Sequence, residues 1–166
     1  MVGKKLLLAT ALCATAIGSV SAENWVAYRS SQIAARQALL FLYEAESLEH
    51  SAEDNTHSLW TAFVSNTEFA DRAILRLIRY EFRCGKHQYR PTNMVSYASD
   101  DERVHRSEDA GGFATVIPGT GYYELYQIVC KNKKPSSEAG RFEALNRENR
   151  KRIQQYLAKK YDLPQP

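Results

Sequence analysis

The chain has 166 residues and a formal net charge of +3, with 44% hydrophobic and 25% charged residues. This length and composition fit one domain with a hydrophobic core, and the absence of internal repeats or low-complexity segments excludes a solenoid or fibrous protein. Without its first 22 residues the chain would keep 144 residues, with 20 basic and 19 acidic side chains, so the basic excess almost vanishes.

The amino-terminal 22 residues predict a secretory signal peptide. Two lysines precede the apolar run Leu6–Gly18, and Val20–Ala22 supplies the small side chains of a cleavage site. The run is too short for a spanning helix, which needs about 20 apolar residues. We therefore expect a mature chain that begins at Glu23 and works in a bacterial periplasm, at the cell surface or after secretion. A lipidated Cys13 is the alternative, disfavoured because the apolar run continues past it.

The cysteines of the mature chain predict a disulfide bond. Cys84 and Cys130 form an even pair in an exported protein, which favours a bridge over free thiols. A metal or redox pair would need close spacing such as C-x-x-C. On the chain-entropy model, closing this loop stabilises the fold by about 4 kcal/mol.

The first half of the mature chain is expected to form short strands. Trp25–Arg29, Leu39–Tyr43 and Ser58–Val64 are rich in apolar, aromatic or β-branched residues, as is typical of strands. The stretch Ser30–Gln37 looks irregular, and Glu44–Glu49 looks like a polar turn.

A strict alternation predicts a half-buried antiparallel hairpin in the middle of the chain. One face of the first strand is apolar and the other is charged; the two sets are Ile78, Tyr80, Phe82 and Cys84, against Arg79, Glu81 and Arg83. Gly85 and Lys86 form the predicted turn, and His87–Ala98 returns. Pro91 cannot donate to a ladder, so the return strand should be an edge, bulged or open there.

Helical periodicity appears after the hairpin. Asp100–Gly112 is a polar loop, and Tyr122–Cys130 has helical spacing of its apolar residues. The basic linker Lys131–Pro135 precedes Ser136 and Ser137, which are candidate N-cap residues for a helix over Glu138–Tyr161. The predicted fold is α+β, an antiparallel β-sheet with a short disulfide-tethered helix and a longer C-terminal helix.

The charge distribution divides the mature chain. Residues 23–130 carry 10 basic and 15 acidic side chains, whereas the remainder carries 10 basic and 4 acidic ones. We therefore expect a signal peptide at 1–22, a domain at 23–130, and a basic linker with a C-terminal helix at 131–166.

Catalytic signatures are absent, so the sequence predicts a protein that is not an enzyme and has no cofactor or metal. It contains no Gly-x-Ser-x-Gly elbow, phosphate-binding glycine loop or dinucleotide fingerprint. His50 beside Glu49, and His105 beside Asp101 and Glu102, could suggest a metal site, but solvated surface residues are the favoured interpretation. A Cys84–His87 thiol–imidazole pair is ruled out if Cys84 is bridged.

Two groups of cations are candidate binding surfaces. The first is an arginine row on the hairpin, suited to sulfated sugars, anionic lipid or an acidic protein partner; it comprises Arg72, Arg76, Arg79, Arg83, Lys86 and Arg90. The second is the basic C-terminal helix, with Arg147, Arg150, Lys151, Arg152, Lys159 and Lys160. An ordinary solvated sheet face, with Glu81 between two arginines, and an ordinary charged helix face are the alternatives. Export makes nucleic acid a poor partner.

The order of several short motifs resembles the surface-adhesin protein E-like domain family over roughly Trp25–Cys130. These motifs are Phe41–Leu48, a strand containing tryptophan, Tyr80–Cys84, Ser96–Asp100, Val116–Thr120 and Ile128–Cys130. The resemblance implies an antiparallel sheet with a packed helix and bridged cysteines. It also implies an adhesin-like role in binding host matrix proteins such as vitronectin and laminin, through the segment that corresponds here to Arg72–Tyr97.

These features lead to two functional hypotheses. The first is an exported, non-catalytic binder of host matrix proteins or anionic ligands, including glycans, through the basic hairpin. The second is a periplasmic, envelope-associated structural protein whose basic C-terminal helix docks peripherally on a membrane or a partner.

Overall fold

A computed structural model describes residues 24–108, 111–136 and 139–164. The predicted signal peptide and Cys13 lie outside these residues. The described part contains nine strands and two α-helices: β1 Trp25–Ala34, β2 Gln37–Glu44, β3 Glu49–Ser51, β4 Thr56–Ser65, β5 Leu75–Arg83, β6 Gln88–Tyr97, β7 Arg103–Ser107, β8 Ala114–Thr115, α1 Gly121–Lys131, β9 Arg141–Phe142 and α2 Arg147–Lys160.

All strands belong to one antiparallel sheet, which confirms the predicted α+β class. The strand order is β7-β6-β5-β4-β2-β1-β9, with β3 added to one end of β4 and β8 to one end of β6. Consecutive strands pair as hairpins along most of this order, namely β1 with β2, β4 with β5, and β5 with β6. Among the described residues, no helix is long and apolar enough to cross a membrane.

The two helices cover opposite faces of the sheet, because neighbouring residues of a strand point to opposite sides. Leu40 and Leu42 pack with Ile153 and Leu157 of α2 in a mainly aliphatic core, which also buries Trp25. On the other side, an aromatic core packs against α1; it contains Tyr28, Leu59, Phe63, Ile78, Tyr80, Phe82, Leu125, Tyr126 and Val129. We call these sides the α2 face and the α1 face.

The alternation predicted for the central hairpin is confirmed. Ile78, Tyr80 and Phe82 of β5 are buried, whereas the charged residues between them are partly exposed. The register between β5 and β6 shifts next to Pro91: Arg79 lies opposite Asn93, whereas the next residue, Tyr80, lies opposite Pro91. Pro91 also lies between the parts of β6 that pair with β7 and with β8, so the open, bulged return strand is confirmed.

The disulfide and the short helix are confirmed as well. Cys84 and Cys130 are bonded, with their Cα atoms 5.5 Å apart. The bridge joins the 3₁₀ turn Cys84–Lys86 to the end of α1, where the Tyr126 hydroxyl also donates to the Cys84 carbonyl at 2.9 Å. The Thr120 side chain caps the start of α1 by accepting from the Tyr123 amide.

The predicted start of the long helix is wrong. The helix begins at Arg147 rather than Glu138, and its N-cap is Asn146, whose side chain accepts from the Asn149 amide at 2.9 Å. Upstream, Gly140 has a positive φ of 82°, which breaks any helix, and the short strand β9 pairs with β1. Tertiary pairing and a better cap therefore override the helical periodicity.

Two polar stretches predicted as irregular are strands. β1 continues to Ala34 because Ser30–Ala34 pairs with β2, despite an exposed and weakly patterned sequence. β7 forms inside the predicted loop Asp100–Gly112 by pairing with β6 at the sheet edge. Edge strands are often short and charged, so their sequences lack the alternation of apolar and polar residues that predicts a strand.

Candidate ligand-binding site

Three of the six hairpin cations share the α2 face of the sheet. Arg79 lies opposite Trp60 of β4, and Arg90 lies opposite Glu81 in the register of β5 and β6. Arg83, four residues after Arg79, has the same orientation by alternation. The predicted shared face of Arg79 and Arg83 is therefore present, and Arg90 extends it across the neighbouring strand.

Two of these arginines are paired with carboxylates. Arg79 donates to Glu49 at 2.5 Å and to the Ser58 hydroxyl at 3.0 Å. Arg90 donates through two nitrogens to one Glu81 oxygen, at 2.8 and 2.6 Å. Glu81 therefore pairs across the hairpin with Arg90 rather than with Arg79 or Arg83, between which it lies in β5.

Arg83 differs from both neighbours. Its guanidinium lies 3.8 Å from the ring centroid of Phe113, and the Arg90 guanidinium lies 4.4 Å from the same centroid. Within the described residues, Arg83 has no carboxylate at ion-pair distance. Stacking on a ring orients a guanidinium without neutralising it, so Arg83 keeps its charge for another anion.

A polar hollow of about 330 Å³ adjoins this group. It is lined by residues of β4, β5 and β6 and by the turn before β4: Asp54, Thr56, Ser58, Arg79, Glu81, Arg90, Thr92 and Asn93. Its walls carry two arginines and two carboxylates, so the charges there nearly balance. The positive charge that no described carboxylate pairs with lies instead at the hairpin end, at Arg83 and the exposed Lys86.

The structure separates the remaining members of the predicted row. Arg72 lies before β5 with a positive φ of 66° and sits 3.8 Å from Glu102. Arg76 points to the α1 face, where it stacks on Phe69 and pairs with Asp71 at 3.0 Å. Burial alone would raise the pKa of Asp71, but hydrogen bonds from the Ala73 amide and Arg76 outweigh it and hold that pKa below its usual range.

The basic helix α2 also differs from the prediction at one position. Arg150 is buried, donates to the Leu145 carbonyl at 2.8 Å and is ion-paired with Asp101. Arg150 therefore helps to hold α2 in place and is not part of the exposed cationic surface of the helix. The other predicted cations of this helix are exposed: Arg147, Lys151, Arg152, Lys159 and Lys160.

Two participants of the hairpin site were missed by sequence reasoning. Phe113 lies in a glycine-rich loop with no strand pattern, and Glu49 lies 30 positions from the arginine that it pairs with. In the described residues, no cluster of three or more histidine, cysteine, aspartate or glutamate side chains could hold a metal ion. The arrangement is chemically suited to binding an anion through guanidinium and ammonium groups.

No family model and no curated protein matches this chain. Two solved structures of Haemophilus influenzae protein E are similar to it. Crystal form II has a TM-score of 0.43 and 16% identity, with 55% of this chain and 80% of that chain covered. The second has a TM-score of 0.43 and 15% identity, with 55% and 77% covered. Their name is that of the family whose motif order this sequence resembles.

Proposed function

We propose that this protein is an exported, non-catalytic binding protein that holds an anionic ligand, either a host matrix protein or an anionic glycan, at the end of its basic hairpin. The observation that carries the proposal is the pair of guanidiniums on Phe113. Arg83 is held in place there without a carboxylate partner in the described residues, and Lys86 is exposed at the turn beside it.

Preorganisation explains why this end of the hairpin is favoured over the rest of the row. A ligand anion would have to displace the carboxylate of Glu49 or Glu81 from an arginine that is already paired, so the gain in binding free energy would be small. Arg83 and Lys86 have no such competing partner within the described residues. A sulfate or carboxylate at this end would form charge-assisted hydrogen bonds with a side chain that has already lost much of its rotamer freedom.

The exposed ridge of α2 supports a second candidate, peripheral docking on an anionic membrane. Arg147, Lys151 and Lys159 lie at multiples of four residues, on the side opposite the buried Ile153 and Leu157. The apolar residues of α2 are covered by the sheet, so such docking would be electrostatic and would not insert the helix into lipid.

One pair of matched variants separates the two candidates. Arg83→Gln with Lys86→Gln removes two charges from the hairpin, and Arg147→Gln with Lys151→Gln removes two from α2. Both proteins are titrated against heparin, a matrix-protein panel and vesicles containing phosphatidylglycerol. The proposal expects about tenfold weaker binding of heparin or matrix protein in the hairpin variant, and nearly unchanged binding in the helix variant.

The result that contradicts the proposal is equal heparin and matrix binding by both variants and the parent protein. Loss of vesicle binding in the helix variant alone would favour the second candidate. Thermal unfolding of both variants serves as the control for folding. The hairpin variant should lose no more than about 1 kcal/mol, the value of an exposed cation–π contact.

A further inference from the structure

A second, smaller cavity lies on the α1 face, on the opposite side of the sheet from Arg79, Arg83 and Arg90. It has a volume of about 300 Å³ and is lined by residues of β1, β2 and the start of α1. This size is at the lower limit of pockets that bind small molecules. Three aromatic side chains form its walls, namely Tyr28, Phe41 and Tyr122.

A β-bulge builds the polar side of this cavity. The register of β1 against β2 skips Tyr28, between Ala27 opposite Leu42 and Arg29 opposite Phe41. Tyr28 packs in the aromatic core under α1, and the next residue, Arg29, donates to Glu124 of α1 at 2.5 Å. Two consecutive side chains thus reach the α1 face, which a regular strand cannot achieve. Bulges are common next to functional sites, where they turn a side chain to the face of the sheet opposite to the one that a regular strand would give it.

The Tyr28 hydroxyl is a polar group without a partner. Tyr28 is only 2% exposed, yet its hydroxyl makes no hydrogen bond with the residues that the structure describes. Burial raises the pKa of Tyr28 far above its usual range, and nearby Tyr122 and Glu124 raise it further, so the hydroxyl stays protonated and can donate as well as accept. Because Tyr28 lines the cavity, its hydroxyl is available to a ligand atom there.

The charges around the cavity favour an uncharged ligand. Arg29 lines the cavity, and its charge is balanced by Glu124 outside the lining, so the pair adds no net charge. The Thr120 hydroxyl is already used, because it donates to the Ile117 carbonyl and accepts from the Tyr123 amide. The polar groups of the lining that can bind a ligand hydroxyl are those of Tyr28, Ser31 and Arg29.

We infer that this cavity binds one neutral pyranose ring, free or at the end of a glycan. A pyranose presents C–H groups on its faces and hydroxyls at its edge, which matches aromatic walls combined with a few hydroxyl-binding groups. The Tyr28 hydroxyl forms a hydrogen bond with one sugar hydroxyl in place of a water molecule. The rings of Phe41 and Tyr122 contact the apolar face of the sugar. This site is independent of the proposed anion site on the hairpin.

The experiment titrates the purified exported chain with glucose, galactose and N-acetylglucosamine, with glucuronate as the charged comparison. Saturation-transfer NMR detects binding, and calorimetry measures its affinity. Tyr28→Phe keeps the aromatic ring and removes the unpartnered hydroxyl, so the fold should persist. Tyr123→Phe, on α1 but outside the cavity lining, is the matched control.

The inference expects saturable binding of at least one neutral pyranose at millimolar concentration. Tyr28→Phe should bind it about fivefold more weakly, and Tyr123→Phe should bind it as the parent does. Gly121→Ala provides a second variant, because its new Cβ would lie 3.5 Å from both Arg29 Cδ and Phe41 Cε1, an ordinary contact that narrows the cavity. This variant should also weaken binding while keeping the thermal midpoint.

Three results would overturn the inference. They are no saturable binding of any neutral pyranose, equal affinity in Tyr28→Phe and the parent protein, and binding of glucuronate in preference to every neutral sugar. Loss of heparin binding in the hairpin variant would leave the sugar result unchanged, because the two sites share no lining residue.

Discussion

The two faces of the sheet are closed in different ways. On the α2 face, a helix of 14 residues packs Ile153 and Leu157 into an aliphatic core, and no disulfide holds it. On the α1 face, a helix of 11 residues covers a core of tyrosine and phenylalanine rings, and Cys130 ties its end to the central hairpin. Well-packed aliphatic side chains stabilise the first face, whereas the second combines stacking of rings with a covalent bond.

The two proposed ligand sites also lie on opposite faces of the sheet. Large rigid rings leave gaps that small aliphatic side chains would fill, and the sugar-sized cavity lies among such rings beside α1. On the α2 face, the polar hollow occurs in the part of β4–β6 where charged side chains replace the aliphatic core. Each face therefore combines a packed core with one of the two proposed sites.

The disulfide should provide the largest test of this contrast. We expect Cys84→Ala with Cys130→Ala to lower the free energy of unfolding by about 4 kcal/mol, since the bridge closes a long loop in the unfolded chain. Urea denaturation measures the loss. Hydrogen exchange should show α1 losing protection well before α2. Reductant added to the parent protein should reproduce the effect, and an unchanged urea midpoint in both cases would refute the importance of the tether.

Truncation on the α2 face should have the next largest effect. Leu157→Ala should cost about 3 kcal/mol, because Leu157 is fully buried and its removal leaves a cavity in the aliphatic core. Leu48→Ala makes the same chemical change where the side chain is 47% exposed, so it should cost little. Equal losses in the two variants, measured by urea denaturation, would contradict the claim that burial holds α2 in place.

The smallest expected effect concerns pH on the α1 face. His57 pairs with Phe82 in the ladder and its ring lies 4.6 Å from that of His50. Partial burial, followed by the adjacent His50, lowers the pKa of His57 below its usual 6.5. The unfolded chain therefore takes up the proton at higher pH than the folded one. The stability linked to neutral His57 is present above pH 6.5 and is lost as the pH falls below it.

His57→Gln should make the dependence of thermal midpoint on pH shallower between neutral and mildly acidic pH. His105→Gln, at an exposed position of β7, is the matched control and should keep the parent slope. If the parent and His57→Gln give parallel curves, the titration of His57 does not contribute to stability.

The sequence predicted the central hairpin and its disulfide well, but only part of the candidate site. The alternation of apolar and charged residues in β5 is local and strong, so the sequence alone could predict that Arg79 and Arg83 share a face. The separation of Arg76 and Arg72 from that face could not, because it depends on where β5 begins. The pairing of Arg79 with Glu49, and the stacking of Arg83 on Phe113, join segments that meet only after the sheet forms.

By itself, the amino-acid sequence determined the elements whose pattern lies within one short segment: the alternating strand, the turn at Gly85 and Lys86, the short helix and the even pair of cysteines. Tertiary structure decided the start of α2, the edge strands β7 and β9, the burial of Arg150 and the bulge that turns Tyr28 and Arg29 toward one cavity. The physical reason is that backbone pairing and burial depend on distant residues, whereas periodicity and capping depend on neighbours along the chain.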